Sequence, residues 1–390
     1  MNGDNTESGV GPGYQESFGA VYSLTRNSLP ETPDDIAQLP GGEPREGTVP
    51  RRRLSASYPH LDFVRSAAVL LVFFGHLLAS LGHRYGVGTA AHFGVVIFFV
   101  HTCLVLFLSM ERLGTDRLFR RFYVRRIARI YPLSLVAVVF ILVSRFPPAP
   151  WLPWSRPDWP TIAANSLLIQ NVTGRESMLG PMWSLPFEVQ MYAILPVLFL
   201  LYSRGVSASA IWTVAASFCG ALWLLPSHEL AELCKYVPCF CSGIVAYSML
   251  RLPRAMNFGW LAAALAGALV AEVAAGHWRV PLALADGTIA LVIGIVVGRL
   301  RIIPCFVAHA SAMIAKYSHG IYLAHLPIMW SCFSGGHGIQ RWLLFACLSV
   351  VVPVALYHAI ERPFIRLGAR AFAAPSPTSG GALREASCSP

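Results

Sequence analysis

The chain has 390 residues, of which 55% are hydrophobic and 13% are charged, and its mean hydropathy is +0.54. These values place it among polytopic membrane proteins. Its net charge of +10 does not indicate a nucleic-acid partner, since such an excess in a membrane protein is typical of cytoplasmic loops. No pair of the nine cysteines has zinc-ligand spacing with histidines nearby, so we expect neither disulfide bonds nor a metal ion.

Both ends of the chain are polar. Residues 1–60 lack a sustained apolar run, and residues 367–390 are mainly Ala, Pro, Ser and Arg, so we predict a disordered tail at each end. Between them, apolar runs of about 17–21 residues recur, the length that a helix needs to cross a bilayer. The sequence therefore predicts an all-α membrane domain over 61–366 with about ten transmembrane helices: 61–81, 91–110, 127–144, 186–203, 207–226, 233–250, 257–275, 280–300, 316–334 and 341–361.

The loops predict the orientation of these helices. If the N-terminus is cytoplasmic, nineteen Lys and Arg residues fall in cytoplasmic segments and seven in outer segments. Both termini are therefore predicted to be cytoplasmic, in a multi-pass protein of the cell membrane. The Trp- and Pro-rich segment 145–182 is predicted to be an outer loop with an interfacial helix near 161–170.

Arg65 and His76 are two ionisable residues in the first predicted span. They are eleven positions apart, which at about 100° per residue puts both on one helix face, with His76 roughly 16 Å deeper. Ionisable groups inside a membrane are costly and usually line a cavity or serve a function. The pair predicts an anion-binding group at the cytoplasmic surface and a titratable group deeper in the membrane.

A basic segment, RRFYVRRIARIYP at 120–132, leads into the third span. Arg126 and Arg129 are three residues apart and hence on one helix face. Their guanidinium groups can bind phosphate oxygens. The alternative is a topology anchor at the anionic leaflet. We favour phosphate binding for Arg126 and Arg129 and anchoring for the arginines before them.

Two further segments place polar groups in the membrane. Glu188 follows GPMWSLPF at the start of the fourth span, where it either has a function or complements the helix dipole. Tyr322 and His325 share a face of the ninth span, and for them function and packing are equally good interpretations. Three other histidines, His92 and His101 of the second span and His358 of the tenth, are interpreted as structural.

These motifs together resemble the acyltransferase-3 family, integral membrane acyltransferases that modify cell-surface glycans. The resemblance covers about 60–366 and rests on five motifs in order. They are the Arg-to-His spacing of Arg65 and His76, RRIARIYPL with Arg126 and Arg129, MWSLPFEVQMYAILP, HGIYLAHLPI and IERPF. The chain departs from the family where FFVHTCLVL has Thr102 and Cys103 in place of Ser-Gly, and where Pro186 precedes the motif glutamate.

The resemblance implies transfer of an acyl group, most often acetyl from acetyl-CoA, to a hydroxyl. Arg65, Arg126 and Arg129 would then bind the phosphates of acyl-CoA. His76 would act as general base, with Glu188 or Tyr322 orienting the base or the acceptor. The acceptor would be a glycan or a lipid-linked sugar that reaches the site from outside or from the bilayer. The motifs fit direct transfer and transfer through an acyl-His76 equally well.

Two alternatives accompany this reading. The same reaction on a small glycoside such as a macrolide fits the same motifs. An anion transporter would also use a cationic lining, but transporters often contain inverted repeats, and the first five spans show no similarity to the last five.

Overall fold

The structure is a computed structural model that describes residues 58–82, 87–113, 118–147, 152–225, 229–253, 256–277, 282–300, 303–336 and 338–371. Nearly all of both predicted tails lies outside the described residues. Helix α1 begins at Pro59, and α13 continues to Arg370, past the predicted domain boundary at 366.

The described residues form thirteen α-helices. A 3₁₀ segment, Gly180–Ser184, precedes α5, and a π-helical segment, Tyr357–Glu361, joins α12 to α13. The helices are Pro59–Ser80 (α1), Val87–Leu113 (α2), Leu118–Ser144 (α3), Trp159–Leu167 (α4), Leu185–Ser203 (α5), Ala208–Leu222 (α6), Glu229–Cys234 (α7), Val237–Met249 (α8), Phe258–His277 (α9), Leu282–Arg299 (α10), Cys305–Phe333 (α11), Ile339–Leu356 (α12) and Arg362–Arg370 (α13).

The all-α membrane class is confirmed. Each of the ten predicted spans overlaps a helix, and α4 occupies the place of the predicted interfacial helix. Within the described residues, six helical segments are long and apolar enough to cross a membrane, which makes this a multi-pass membrane protein. Ten crossings and cytoplasmic termini stay predictions.

Helix α2 lies at the centre of the helical bundle. It packs against α1, α8 and α10, and its core side chains, among them Phe93, Ile97 and Phe107, are fully buried. Several close helix contacts depend on glycine, and one of them lies between α8 and α2. A Cβ atom at Gly243 of α8 would lie 2.5 Å from the carbonyl oxygen of Val100 and 2.6 Å from Cβ of Cys103. The unusual Cys103 therefore lies at a helix–helix contact.

Gly294 and Gly298 bring α10 against α8 within the same chain. A Cβ atom at Gly294 would lie 2.6 Å from the carbonyl oxygen of Ser242, and one at Gly298 would lie 2.5 Å from that of Ala246. From the sequence, this small-residue pair fits packing within a chain or between chains equally well. The structure uses it within the chain.

Helices α1 and α11 run parallel and in contact. Ser66 donates to the carbonyl oxygen of Ser311, and farther along both helices His76 meets His325. This is the relative direction expected of the first and ninth predicted spans. Because they are parallel, polar residues of α1 and α11 face each other in the same order from one end to the other.

Candidate active site

A narrow cavity lies between α1, α2, α3, α11 and the start of α5. Its volume is about 40 Å³, enough for a few water molecules. Seven polar side chains line it: Arg65, Arg129, Ser184, Glu188, Ser318, His319 and Tyr322. The first helix, the basic segment and the glutamate motif are thus brought to one cavity.

Arg65 and Arg129 supply the positive charge of the cavity. The Nε–H of Arg65 donates to Oγ of Ser318 at 2.5 Å, and its guanidinium carbon lies 5.6 Å from the centre of the Phe98 ring. These contacts hold one edge and one face of the guanidinium group. Arg129 makes no hydrogen bond to any described residue, so its donors are available to an anion in the cavity.

Arg126 is placed differently from the other two arginines. It is not among the residues that line the cavity, and its guanidinium carbon lies 6.0 Å from the ring centre of Phe122. Its positive charge also acts on Tyr192 and Glu188. The Tyr192 hydroxyl donates to Oε1 of Glu188 at 2.5 Å. Arg126 therefore contributes positive charge near the hydrogen-bonded pair of Tyr192 and Glu188.

Tyr322 is bonded to the 3₁₀ segment that precedes α5. Its hydroxyl and Oγ of Ser184 are 2.7 Å apart, and either can donate. Pro186 lies in the first turn of α5, where its missing N–H costs no helical hydrogen bond. The departure at Pro186 thus fits a 3₁₀-to-α transition that brings Ser184 and Glu188 to the cavity.

His76 lies one helical turn beyond Val72 of the cavity lining, and its partner is His325. Nδ1 of His76 is 3.2 Å from Nε2 of His325, and the two ring centres are 5.0 Å apart. His325 is only 1% exposed. The hydrogen bonds of Glu188 and Tyr322 run to Tyr192 and Ser184 instead. The side chain in contact with His76 is therefore His325, whereas Glu188 and Tyr322, which were predicted to orient the base or the acceptor, are bonded elsewhere.

The backbone contacts of the two rings determine where their protons lie. Nδ1 of His325 is 2.6 Å from the carbonyl oxygen of Tyr322, and since a carbonyl only accepts, this nitrogen carries the proton. In neutral His325, Nε2 is then an acceptor. Nδ1 of His76 faces this acceptor and, at 3.0 Å, the carbonyl oxygen of Val72, so it carries the proton of neutral His76. Its own Nε2 is left with a free lone pair, as a general base requires.

The sequence also did not identify the pair of His319 and Glu361. His319 lines the cavity, and its Nδ1 lies 3.7 Å from Oε2 of Glu361, which is 2% exposed. Glu361 is the acid of the IERPF motif, so this late motif contacts His319 of the cavity lining. For His325, in contrast, the sequence did indicate a possible site residue, because His325 follows Tyr322 by three residues and lies on the same helix face.

Two further cavities have neither Arg65 nor Arg129 in their linings. One, of about 350 Å³, is bordered by the loop after α3 and by α4, and its lining includes Trp154, Asp158 and Arg175. Arg175 donates to Asp158 at 2.8 Å. Hydrogen bonds from Thr161, followed by the charge of Arg175, hold the pKa of the Asp158 carboxyl below its usual value. The other, of about 230 Å³, is an apolar groove between α3, α11 and α12.

Comparison with known proteins gives one match. A family model described as an acyltransferase domain of the acyltransferase-3 type matches residues 58–358. No curated protein and no solved structure matches the chain. The matched residues include every predicted site residue and His325.

Proposed function

The chain belongs to the acyltransferase-3 family and is a membrane acyltransferase, and from this premise we propose that it transfers an acyl group, most often acetyl, from cytosolic acyl-CoA to a hydroxyl of a glycan or lipid-linked sugar. The observation that carries the proposal is the His76–His325 pair, which leaves Nε2 of His76 free to accept a proton. It lies on the same face of α1 as Arg65, roughly 16 Å farther along the helix.

The arginines support acyl-CoA as the donor. Coenzyme A carries several phosphates, and guanidinium groups bind phosphate oxygens with two parallel hydrogen bonds. Arg65 and Arg129 both line the cavity, while Glu188 and Glu361 offset part of their charge. A cavity of about 40 Å³ does not admit the pantetheine arm, since ligand pockets measure about 300–1,000 Å³. In the proposed reaction, acyl-CoA binding therefore widens this cavity.

In the proposed reaction, His76 acts as general base and then as general acid. The proton of the acceptor hydroxyl moves to Nε2 of His76 while the hydroxyl oxygen bonds to the carbonyl carbon of the thioester. The C–S bond then breaks, and the thiolate of coenzyme A leaves with the proton from Nε2. His325 accepts from Nδ1–H of His76 throughout, and this hydrogen bond strengthens while the His76 ring is positively charged.

Two surfaces support an acceptor carried on a lipid. The apolar groove contains Val136 and Phe140, which are 38% and 43% exposed, and it also includes Leu323 and Ala324, the residues between Tyr322 and His325. An apolar carrier chain would fit this groove. The cavity beside α4 offers Trp154, Asp158 and Arg175, an aromatic face and charged groups suited to a sugar. The two surfaces are neighbours, because Leu179 lines the groove and Met178, the residue before it, lines the cavity beside α4.

The test uses the purified chain in nanodiscs with radiolabelled acetyl-CoA and a panel of acceptors: envelope glycans, lipid-linked sugars and macrolides. We expect acylated glycan or lipid-linked sugar from the wild type. His76→Ala should abolish product at unchanged protein abundance, and His358→Ala, on an exposed face of the bundle, should not. If only the macrolides were acylated, the acceptor would be a small glycoside and not a glycan or lipid-linked sugar. Acetyl-CoA binding without any acylated product, together with anion flux, would contradict the proposal.

A further inference from the structure

A second cluster of titratable side chains lies in the bundle, outside the site described above. His92 of α2, Glu272 of α9 and Asp286 of α10 meet there, although the sequence analysis interpreted His92 as structural. Nε2 of His92 is 3.0 Å from Oδ2 of Asp286 and 3.7 Å from Oε1 of Glu272. One ligand atom from each of the three residues lies within 4.8 Å of the others.

The charge of this cluster is not balanced by the described residues. Glu272 and Asp286 are 3% and 1% exposed, and Oε2 of Glu272 and Oδ1 of Asp286 have no hydrogen-bond partner. The nearby cation, Lys235, is bonded to Glu232 at 2.7 Å. One imidazole thus faces two buried carboxylates. Buried charges without partners are strongly unfavourable, above all in a membrane protein, so the cluster requires a further positive charge, either a metal ion or a proton shared by the two carboxylates.

We propose that His92, Glu272 and Asp286 bind a divalent transition-metal ion, Zn²⁺ or Mn²⁺. An imidazole nitrogen with two carboxylate oxygens is a ligand set that both ions accept. Metal–ligand bonds of about 2.1 Å place neighbouring ligand atoms about 3.0 Å apart in an octahedron and about 3.4 Å apart in a tetrahedron. The distances of 3.0 and 3.7 Å from His92 are close to these values. The two unpartnered oxygens complete the set of available ligand atoms.

The ion would join three helices behind the segment that carries Ser184. The ring of Trp183 stacks on His92, with centres 6.2 Å apart and planes at 11°, and the Tyr236 ring lies 5.9 Å from the same imidazole. Trp183 directly precedes Ser184, which contacts Tyr322 in the acyl-transfer site. We assign the ion a structural role: it fixes α2, α9 and α10 and thereby the position of Trp183.

The proposal is tested by metal content, which does not depend on acyltransferase activity. The purified chain is treated with a chelator, dialysed separately against Zn²⁺, Mn²⁺ or Mg²⁺, and measured by mass spectrometry before and after treatment. We expect about one Zn²⁺ or Mn²⁺ per chain, and binding at least about tenfold weaker in Glu272→Gln and Asp286→Asn. Glu111→Gln, which removes a partly exposed acid at the other end of α2, is the matched control and should bind as the wild type does.

If the variants do not fold, measurements on the wild type alone still decide the test. Zn²⁺ or Mn²⁺ should raise its midpoint of thermal unfolding, and X-ray absorption should show one nitrogen ligand with the rest oxygen. The proposal would be overturned if the wild type bound neither ion. It would also be overturned if Glu111→Gln weakened binding as much as Glu272→Gln and Asp286→Asn do. The two carboxylates would then share a proton, while the proposed acyl transfer would be unaffected.

Discussion

Replacing His325 with Phe tests the chemistry of the site. The substitution keeps an aromatic ring in a position that is 1% exposed and next to Phe73, but it removes Nε2, the acceptor that faces Nδ1–H of His76. His76 can then rotate or change tautomer, and the charge that it gains during proton transfer has one acceptor fewer. The carbonyl oxygen of Val72 remains as the only acceptor for that proton among the described residues.

The magnitude follows from the lost hydrogen bond. A hydrogen bond to a charged group contributes about 1.5–3 kcal/mol, and about 1.4 kcal/mol corresponds to a tenfold change in rate, so kcat should fall roughly 10- to 150-fold. The KM for acyl-CoA should stay nearly constant, because neither Arg65, which donates to Ser318, nor Arg129 is hydrogen-bonded to His325. A role limited to packing would change stability without this separation of kcat from KM.

The assay is steady-state acylation with the purified variants in nanodiscs, together with thermal unfolding. His325→Gln supplies an amide oxygen that can accept from His76 and should keep more activity than His325→Phe. His358→Phe makes the same replacement at an exposed site and should match the wild type. Wild-type kcat in His325→Phe, or equal losses in the Gln and Phe variants of normal stability, would refute the positioning role.

Two further predictions concern the arginines and the helix packing. Arg129→Ala should raise the KM for acyl-CoA about tenfold or more without a comparable change in the KM for the acceptor, because Arg129 lines the cavity. Arg126→Ala should have the smaller effect on the KM for acyl-CoA. Equal effects of the two variants in competition binding with coenzyme A would argue against the assignment. Gly298→Leu should lower the free energy of unfolding by about 1–3 kcal/mol, since any Cβ atom there collides with α8. Gly267→Leu, where no atom lies within 4 Å, is its control, and equal stability of the two variants in thermal unfolding would contradict the packing argument.

The features that depend on neighbours in the chain could be predicted from the sequence. Apolar runs located the helices, because crossing a bilayer requires a continuous apolar length. Helical periodicity placed Arg65 and His76 on one helix face, and it placed Tyr322 and His325 on one face of another helix. The ends of the helices were less certain: α11 begins at Cys305, well before the apolar run predicted from 316.

The partners of the buried polar groups were decided only by the tertiary structure. His325 and His76 are separated by 249 positions, and His92 and Asp286 by 194. Periodicity gives the face of a helix on which a residue lies, but the helix that packs against this face depends on the shapes of all the helices together. The sequence alone therefore determined that costly polar groups lie in the membrane. The packing of α1 on α11 and of α2 on α10 determined which of them meet, and so which can exchange a proton or share an ion.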